Sequence, residues 1–346
     1  MGKKVAVVIV NWNGKELLKN CLDALADQTF KDFQTFLVDN GSTDGSAEFV
    51  QQNYPWVNLI RLEKNTGFAR GNNIGINKAF ENEEIEYLVT INNDTATDQF
   101  FLEKLVASAE ENPSAGSVAP KMKYFYQENL INSVGVLIHR DGGGVSRGNL
   151  EEDQGQFDHK EEIFGVCAGA ALYRRQALAE VAENGEFFDE IFFAYYEDLD
   201  LAWRLRLFGW KAISCPSAII KHIHSATAIA YSPFKAFHVN RNRFFVILKN
   251  YPFWFMLNAL AITPMRYLRL FNSVRIKKGP SHQLKEKAGL LSPFVIVLKG
   301  WWSVLSNLRA ILKKRKFIQK NKKVSDKEVD QWLEKYSATI EEMIYR

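Results

Sequence analysis

Cysteine is scarce in this 346-residue chain, and its distribution excludes the common cysteine-based sites. Cys21, Cys167 and Cys215 stand far apart, so they match neither a zinc-ligand pattern nor a disulfide framework. We therefore expect a reducing, cytosolic environment.

Long apolar runs are also missing, and with them the usual signals of a membrane span or a leader. No stretch of 18 or more clean apolar residues occurs. The first apolar run stops at Asn11, which is too early for a signal peptide and predicts a strand instead. Ala6 stands where a myristoylation signal has Ser or Thr, so we do not expect that anchor.

A third absence concerns dinucleotide cofactors. The first predicted strand ends in Asn-Trp-Asn-Gly at residues 11–14. A dinucleotide-dependent oxidoreductase needs a Gly-x-Gly-x-x-Gly turn at that point. The sequence therefore argues against this class of enzyme.

Charge is abundant, and it is divided unevenly along the chain. Residues 1–230 contain 21 Lys and Arg against 33 Asp and Glu, a net charge of −12. Residues 231–346 contain 23 against 7, a net charge of +16. Such a basic segment predicts an anionic partner, either a membrane surface or a nucleic acid. Because its basic residues are interleaved with apolar stretches, we favour the membrane and expect no nucleic acid.

Two apolar, aromatic-rich stretches lie in this basic third, at Phe253–Leu260 and Leu291–Leu305. Each is too short to span a bilayer, and basic residues flank both. This pattern is typical of helices in the membrane interface, with Trp254, Trp301 and Trp302 as anchors. Packing on the rest of the chain, or on a second subunit in a homo-oligomer, is the alternative.

The first 120 residues alternate strand and helix patterns. This alternation predicts an α/β fold with a doubly wound, mostly parallel sheet, whose ligands bind beyond the carboxyl ends of the strands. Residues 121–162 are less regular and predict a loop or a hairpin, and Asp198–Phe208 predicts a helix that Gly209 ends. The predicted strands are Val5–Val10, Phe33–Val38, Val57–Leu62 and Tyr87–Ile91, and the predicted helices are 17–25, 44–52, Ala69–Phe80 and Phe100–Ala109.

Polar motifs follow the first three predicted strands, at residues 11–14, 39–46 and 65–75. A carboxylate such as Asp39 can accept hydrogen bonds from a nucleobase or ribose there, and the glycines allow close backbone approach. The amides that begin the helix after the third motif, with Arg70 beside them, suit a pyrophosphate. Ordinary turn chemistry and a Gly-rich connection explain the same residues and stay alternatives.

The fourth predicted strand is followed by Asn92-Asn93-Asp94. A carboxylate at this point is well placed for Mg²⁺ or Mn²⁺, because nucleotide phosphates supply the other ligands. His222, which follows a late strand, is the favoured candidate to complete such a site. For residues 92–94 the alternative is an Asx turn. For His222 and His224 the alternative is an ordinary pair of strand residues, one facing inwards and one facing solvent.

Three carboxylates, Glu197, Asp198 and Asp200, stand close together behind an aromatic run. A buried Asp near a sugar can take the proton of an acceptor hydroxyl. Helix N-terminal capping explains one of these carboxylates well but three poorly.

Together these motifs resemble the family 2 glycosyltransferases of the GT-A fold, over about residues 3–250, and most closely bacterial rhamnosyltransferase-like members. The segments that carry the resemblance are 8–14, 38–46, 65–73, 92–94 and 197–204, in this order. The resemblance implies a Rossmann-like GT-A catalytic domain at residues 1–230. Nucleotide-sugar binding would fall in about 1–120, acceptor binding and catalysis in about 121–230, and residues 231–346 would form a helical, basic membrane-associating region.

The resemblance also implies roles for individual residues. Asp198 would be the catalytic base, while Asp94 and His222 would hold the metal. Asn92 replaces the first Asp of the family's Asp-x-Asp motif, so Asp94 must carry most of the metal contact. Donor binding is implied for Val10, Asn11, Asn13, Asp39, Gly41, Asn65, Gly67, Phe68, Arg70, Asn73, Asn92 and Asn93, with Asp39 on the nucleobase, and acceptor or loop positioning for Glu197, Asp200, Arg204 and Gly169.

The implied reaction is an inverting single displacement assisted by Mg²⁺ or Mn²⁺. The leading donor is dTDP-rhamnose, and the implied acceptor is a polyprenyl-diphosphate-linked glycan of the cell envelope. We expect the protein on the cytoplasmic face of the plasma membrane, as a peripheral or monotopic protein on anionic lipid. The alternatives are a galactosyl-, glucosyl- or N-acetylglucosaminyltransferase that uses a UDP-sugar, and a non-catalytic scaffold.

Overall fold

The computed structural model describes residues 4–223, 232–275, 282–284, 289, 292–339 and 342–343. Its strands are β1 (Val5–Asn11), β2 (Phe33–Asp39), β3 (Asn58–Arg61), β4 (Tyr87–Asn92), β5 (Thr95–Thr97), β6 (Ala115–Tyr124), β7 (Ile131–Ser133), β8 (Val136–Ile138), β9 (Gly144–Ser146), β10 (Glu162–Ile163), β11 (Ala170–Arg174) and β12 (Lys211–His222). Its helices are α1 (Lys15–Ala26), α2 (Ser46–Asn53), α3 (Phe68–Ala79), α4 (Phe101–Glu111), α5 (Arg175–Val181), α6 (Glu197–Leu207), α7 (Pro233–Asn250), α8 (Phe253–Arg275), α9 (Ser292–Ser306), α10 (Leu308–Asn321) and α11 (Asp326–Lys335), with a 3-10 turn at Glu190–Phe192.

One mixed sheet organises the fold, with the strand order β10-β12-β6-β11-β4-β1-β2-β3. The ladders from β3 through β2 and β1 to β4 are parallel. Strand β11 is antiparallel to both β4 and β6, and β12 is parallel to β6, so β6 and β12 run in the same direction as β4. The predicted α/β class with a mostly parallel sheet is confirmed.

The apolar run of β1 is continuous because both faces of the sheet are covered. Val5, Val7 and Ile9 belong to one hydrophobic cluster and the alternating Ala6 and Val8 to the other. A strand buried on both faces needs apolar residues at every position, which removes the usual alternation. Two clusters of this size are a large favourable contribution to folding.

Helix α3 approaches β1 closely, because glycines face the sheet one helical turn apart. A Cβ atom on Gly71 would lie 2.9 Å from a methyl of Val10, and one on Gly75 would lie 2.6 Å from a methyl of Val8. Larger side chains would push α3 off the sheet and move the loop before it. These glycines therefore set the position of residues 65–67 relative to the end of β1.

The predicted strands and helices of the first 120 residues are confirmed, with small shifts at their ends. Gly45, with a φ of 80°, precedes α2, and Asp44 accepts from the Ser46 amide. Residues 121–162 contain the end of β6, the short strand β7 and the β8–β9 hairpin. Helix α6 ends where predicted, and Gly209 has a φ of 90°.

The described part of the C-terminal third packs against the sheet half of the protein. Helix α7 buries Phe244, Phe245 and Ile247 in the same hydrophobic cluster as β1. Close to the end of the chain, Tyr336 and Ala338 exchange main-chain hydrogen bonds with Ile138 of β8. Helices α8 and α9 keep many large apolar side chains exposed.

Within the described residues, no single helix combines the length and hydropathy of a membrane span. Residues 293–306 and 308–321 meet these criteria only jointly, with a bend of 63° between them.

Candidate functional site

The carboxyl ends of β1, β2 and β4 are joined by one fully buried side chain. The amide nitrogen of Asn11 donates to a carboxylate oxygen of Asp39 and to the hydroxyl of Ser42, both at 3.2 Å. The side-chain oxygen of Asn11 accepts from Asn93 at 2.7 Å. A Cβ atom on Gly14 would lie 2.2 Å from the Asn93 amide, so the chain needs glycine there to turn past this cluster. Three of the motifs predicted to converge do so.

A second set of hydrogen bonds fixes the predicted pyrophosphate loop. Asn40 donates to the side chain of Asn65 and to the main-chain carbonyl of Gly67, and it accepts from the amide and hydroxyl of Thr66. Gly67 has a φ of 89°, and a Cβ atom there would lie 2.6 Å from the carbonyl oxygen of Phe193. The loop before α3 therefore packs directly on the segment that leads to Asp198.

Asp94 and His222 face each other across the β5–β12 pairing. The Nε2 atom of His222 lies 3.1 Å from Oδ1 of Asp94, and both side chains are largely buried. The Nδ1 atom of His222 lies 2.9 Å from the side-chain oxygen of Asn132. With Nδ1 held by the Asn132 side chain, Nε2 is the ring nitrogen that faces Asp94 and the nearby Asn92 amide.

This pair fits a divalent cation of the kind that phosphates help to hold. Two ligands on neighbouring vertices of an octahedral Mg²⁺ lie about 3.0 Å apart when each bond is about 2.1 Å. The 3.1 Å separation of the Asp94 oxygen and the His222 nitrogen is close to this value. The described residues contain no cluster of three or more His, Cys, Asp or Glu that could hold a metal alone. Asp94 and His222 could thus hold a cation whose other ligands come from a nucleotide and water.

Asp198 lies in the first turn of α6 and contacts Ala168, whose carbonyl accepts from Thr90 of β4. One carboxylate oxygen accepts from the Leu199 amide at 2.7 Å and the other from the Ala168 amide at 3.3 Å. Burial raises the pKa of Asp198, and these two hydrogen bonds reduce the shift without cancelling it. A carboxylate with a raised pKa that is still open to a cavity is suited to take up a proton.

Glu197, next to Asp198, is a different kind of carboxyl. Its side chain is buried, and its Oε2 atom has no hydrogen-bond partner within the described part of the chain. Burial, followed by the charge of Asp198, raises the pKa of Glu197 well above its ordinary value. Glu197 is therefore suited to hold a proton while Asp198 is ionised.

The segment before Asp198 has an unusual backbone. Phe193, Tyr195 and Tyr196 have φ values of 65°, 66° and 70°, in the region that favours glycine. Each such residue costs on the order of 1–3 kcal/mol and persists only where its surroundings fix it. Asn242 on α7 donates to the carbonyls of Phe192, Ala194 and Tyr195, and Arg241 donates to those of Ile191 and Phe192.

Asp200 and Arg204 belong to a buried ionic network. Asp200 is fully buried, 2.8 Å from Nε of Arg204 and 2.8 Å from Nζ of Lys249. Burial alone would raise the pKa of Asp200, but the Lys249 and Arg204 charges outweigh it, so the net pKa lies below its ordinary value. Lys249 also pairs with Asp189. These contacts tie α6 to α7.

A cavity of about 1780 Å³ joins the predicted site residues. The candidates that line it are Val10, Asn65, Gly67, Phe68, Asn92, Asn93, Asp94, Gly169, Glu197, Asp198 and His222. Among the residues that the structure describes, the lining does not include the candidates Asn11, Asn13, Asp39, Gly41, Arg70, Asn73, Asp200 and Arg204. Lining residues to which the sequence assigned no site role include Trp12, Asn40, Cys167, Phe193, Tyr195, Lys235 and Arg266.

Most of the candidate residues that do not line the cavity hold the loops and segments that do. Asn73 uses its amide to hold the carbonyl of Phe188 and accepts from the amides of Phe187 and Phe188. Asn13 accepts from the Thr43 amide, and Gly41 passes so close to Lys64 that a Cβ atom would lie 2.5 Å from its backbone. Arg70 is exposed, with its Nε atom 3.8 Å from Glu190.

Comparison with known proteins gives a consistent result. The family model described as Glycosyl transferase family 2 matches residues 6–182, just over half of the chain. The chain is 28% identical over 244 residues to the N-acetylglucosaminyl-diphospho-decaprenol L-rhamnosyltransferase of Mycobacterium tuberculosis, covering 66% of this chain and 78% of that protein. It is 22% identical over 256 residues to the teichoic acid poly(glycerol phosphate) polymerase of Staphylococcus epidermidis, covering 72% of this chain but only 32% of the polymerase.

Solved structures agree on the fold. A crystal structure of GalNAc-T7 with UDP, GalNAc and Mn²⁺ superposes with a TM-score of 0.56 at 15% identity, covering 71% of this chain and 47% of that one. A crystal structure of part of S. aureus TarS in complex with UDP superposes with a TM-score of 0.52 at 18% identity, covering 95% of this chain and 91% of that one. At these identities the likeness concerns the architecture.

Proposed function

The chain belongs to the Glycosyl transferase family 2 and is a glycosyltransferase, and on that premise we propose that it transfers a sugar from a nucleoside diphosphate to a lipid-linked glycan with inversion at the anomeric carbon. The observation that carries this proposal is the arrangement of the cavity. The ends of β1, β2 and β4 and the loop before α3 form one wall, and Asp198 lies on another. A donor can bind on the first wall while an acceptor hydroxyl reaches the carboxylate.

Asp198 is the base in this proposal. Its carboxylate takes the proton of the acceptor hydroxyl while that oxygen attacks the anomeric carbon, and the nucleoside diphosphate leaves from the opposite face. The amides of Leu199 and Ala168 fix the orientation of the carboxylate. Glu197, whose pKa burial raises well above its ordinary value, lies beside Asp198 in the cavity lining.

Donor recognition follows from the polar wall. We propose that the nucleobase binds beyond the lined part of the cavity, at Asp39, which Asn11 holds, and that the main chain near Val10 closes the base pocket. Asn65, Gly67 and the first turn of α3 would face the diphosphate, where backbone amides favour anions. A bound Mg²⁺ or Mn²⁺ at Asp94 and His222 would stabilise negative charge on the leaving diphosphate.

The favoured donor is dTDP-rhamnose, and the favoured acceptor is a polyprenyl-diphosphate-linked N-acetylglucosamine. This choice is supported by the rhamnosyltransferase of M. tuberculosis, the relative whose named acceptor is a diphospho-decaprenol. A UDP-sugar is the second candidate donor, because UDP occupies both solved structures.

A panel of nucleotide sugars tests the donor assignment directly. Purified protein is incubated with each donor and Mn²⁺ or Mg²⁺, with N-acetylglucosaminyl-diphosphoprenol as acceptor, and the product is followed by mass spectrometry. We expect transfer from dTDP-rhamnose to exceed transfer from each UDP-sugar by at least about tenfold, a difference of about 1.4 kcal/mol. Preferential transfer from a UDP-sugar would reassign the donor, and absence of transfer with intact nucleotide binding would favour a scaffold.

We also propose that α8 and α9 dock on the cytoplasmic leaflet of the plasma membrane. Large apolar side chains are exposed on both helices, and basic residues flank the two helices in the sequence. Such faces bind a lipid surface through apolar burial and attraction to anionic headgroups. The most exposed residues of this face are Trp254, Leu268, Phe294, Leu298, Trp302 and Leu305.

Co-sedimentation with anionic vesicles tests the docking. Trp302→Glu combined with Leu305→Glu places charge on the exposed face, and we expect it to reduce the bound fraction several-fold. Tyr126→Glu, at an exposed position on the other part of the protein, is the matched control and should bind as the wild type does. Equal binding of all three proteins would refute docking through α9. Dimerisation that the double substitution abolishes would assign the face to a second copy instead.

A further inference from the structure

The cavity that contains Asp94 and Asp198 is larger than one small ligand needs. Its volume is about 1780 Å³, whereas pockets for a single small molecule measure roughly 300–1,000 Å³. The additional space lies between α7, α8 and α9. Leu260, Leu270, Ile296, Val297 and Trp301 line it, and we call this part of the cavity the apolar arm.

The polar side chains on α8 that face the apolar arm are already engaged. The hydroxyl of Thr263 donates to the carbonyl of Ala259 at 2.9 Å, and the hydroxyl of Tyr267 donates to the side chain of Asn240 at 2.9 Å. A sugar or a peptide buried here would lose hydrogen bonds to water, which is costly when they are not replaced. A hydrocarbon chain has no such requirement and gains from burial of its surface.

A cation faces the same cavity where α7 begins. Lys235 lines the cavity beside Tyr195, with its ammonium 5.6 Å from the centre of the Tyr195 ring. It forms no ion pair with a carboxylate in the described part of the chain, and burial lowers its pKa. Arg266, by contrast, is neutralised by Asp141 at 2.7 Å. A partly buried cation without a counter-ion favours an anionic ligand.

Resting on the proposed function, we propose that the apolar arm binds the hydrocarbon chain of the acceptor's lipid carrier and that Lys235 binds the carrier's phosphate. The apolar arm is continuous with the space in front of Asp198, and its walls are the helices that expose apolar residues on their outer faces. The lipid carrier would therefore enter between α8 and α9, and the nucleotide sugar would enter on the side of β1 and β4.

Photo-crosslinking of the full-length protein tests the location of the chain. The probe is a prenyl phosphate with a diazirine at the far end of the hydrocarbon, and labelled peptides are identified by mass spectrometry. We expect adducts on residues 260–270 and 293–301, and competition by unlabelled prenyl phosphate. Val297→Trp fills the apolar arm and should reduce labelling at least tenfold.

The matched control is a substitution to Trp on α10. Leu312 is 48% exposed and does not line the apolar arm, so Leu312→Trp should label as the wild type does. Nucleotide binding and thermal unfolding of Val297→Trp show whether the variant is folded. Equal labelling of the wild type and a folded Val297→Trp variant would overturn the proposal, because the probe would then contact only the outer face of the helices.

Lys235→Met tests the phosphate contact separately. It should weaken labelling by the prenyl phosphate about tenfold while leaving labelling by the matching prenyl alcohol unchanged. Lys299→Met, an exposed lysine on α9, should affect neither probe. Equal loss for phosphate and alcohol would remove Lys235 from the proposal. Because the labelling needs no sugar transfer, its outcome does not depend on the donor or on the glycan that the lipid carrier bears.

Discussion

The side-chain amide of Asn242 donates a 2.6 Å hydrogen bond to the main-chain carbonyl of Tyr195, three residues before Asp198. Asn242 lies on α7, beyond the residues matched by the family model, and is fully buried. The same amide also reaches the carbonyls of Phe192 and Ala194. One side chain outside the matched region thus fixes the strained segment that carries the proposed base.

Asn242→Ala should reduce kcat about 100-fold and change the donor KM little, because a misplacement of about 1 Å costs this much when the donor site is intact. Steady-state kinetics and nucleotide binding measure the two effects. Asn321→Ala is the control, since Asn321 donates, among the described residues, only to the carbonyl of Phe317 in its own helix. A kcat within twofold of the wild type would show that the Asn242 contact does not position Asp198.

The proposed metal site predicts a change in cation affinity. Asn132→Ala removes the acceptor that orients His222, and loss of such a partner usually weakens metal binding by about 10–100-fold. Calorimetric titration of Mn²⁺ in the presence of a nucleoside diphosphate measures this without turnover. His159→Ala, at an exposed histidine, should leave the affinity unchanged. Equal Mn²⁺ affinity for all three proteins would argue against Asp94 and His222 as ligands.

The acid limb of kcat/KM should reflect a raised carboxyl pKa. Asp198 must be ionised to accept a proton, and burial raises its pKa, so activity should fall with decreasing pH at a value above the ordinary Asp pKa of about 3.9. The measured pKa belongs to the Glu197–Asp198 pair, since the two groups interact. A pH–rate profile that stays flat down to the ordinary Asp range would contradict this expectation.

Glu197→Gln and Asp198→Asn should differ strongly in activity. If Glu197 is protonated in the working enzyme, glutamine preserves a neutral donor, and the loss should stay within about tenfold. Loss of a general base costs roughly 10²–10⁴-fold, which is the expectation for Asp198→Asn. Comparable losses in the two variants, measured at saturating donor, would show that Glu197 acts in its ionised form.

Lys249→Met should destabilise the protein by about 3–5 kcal/mol, because it leaves the buried charges of Asp200 and Asp189 partly uncompensated. Lys19→Met is the control, since Lys19 forms an exposed i,i+4 pair with Asp23. Urea unfolding at neutral pH measures both variants. A destabilisation as small as that of the control would mean that Lys249 is not needed to balance Asp200.

The effect of Lys249→Met should also depend on pH. The pKa of Asp200 is depressed in the folded protein, so the stability that its pairing contributes is present above the unfolded pKa of about 3.9. That contribution is lost as the pH falls towards the folded pKa. The difference in the free energy of unfolding between the wild type and Lys249→Met should therefore become smaller at acidic pH.

The sheet edge could be predicted from the sequence for a physical reason. Parallel strands end at the same edge, so the polar residues after β1, β2 and β4 had to meet, and Asn11, Asp39 and Asn93 do. The spacing of the motifs in the sequence could not reveal which of these polar atoms form hydrogen bonds to other protein groups and which face the cavity. The Asn11 side chain is engaged on both its oxygen and its nitrogen, so it supports Asp39 from behind the cavity wall.

The roles of the three clustered carboxylates, by contrast, could not be distinguished from the sequence. Glu197, Asp198 and Asp200 look alike in sequence, and the candidates included all three. Their environments differ because Lys249, 49 residues after Asp200, forms an ion pair with Asp200. Among the described contacts, Lys249 forms none with Glu197 or Asp198. Likewise Asn242 and Arg241 sit in a helical pattern where polar residues usually mark a solvated face, and only the packing of α7 shows that they face inwards.

The pairing of Ile138 with Tyr336 and Ala338 also has a consequence for synthesis. The ribosome delivers β8 roughly 200 residues before its partner, an interval of roughly 10–40 s at 5–20 residues per second. During that time the hydrophobic surface that Val329 and Leu333 later cover is exposed on the nascent chain. Folding of the first half is therefore completed by residues 326–338, which are translated long after it, and a premature stop codon near residue 325 would yield a chain with an open core.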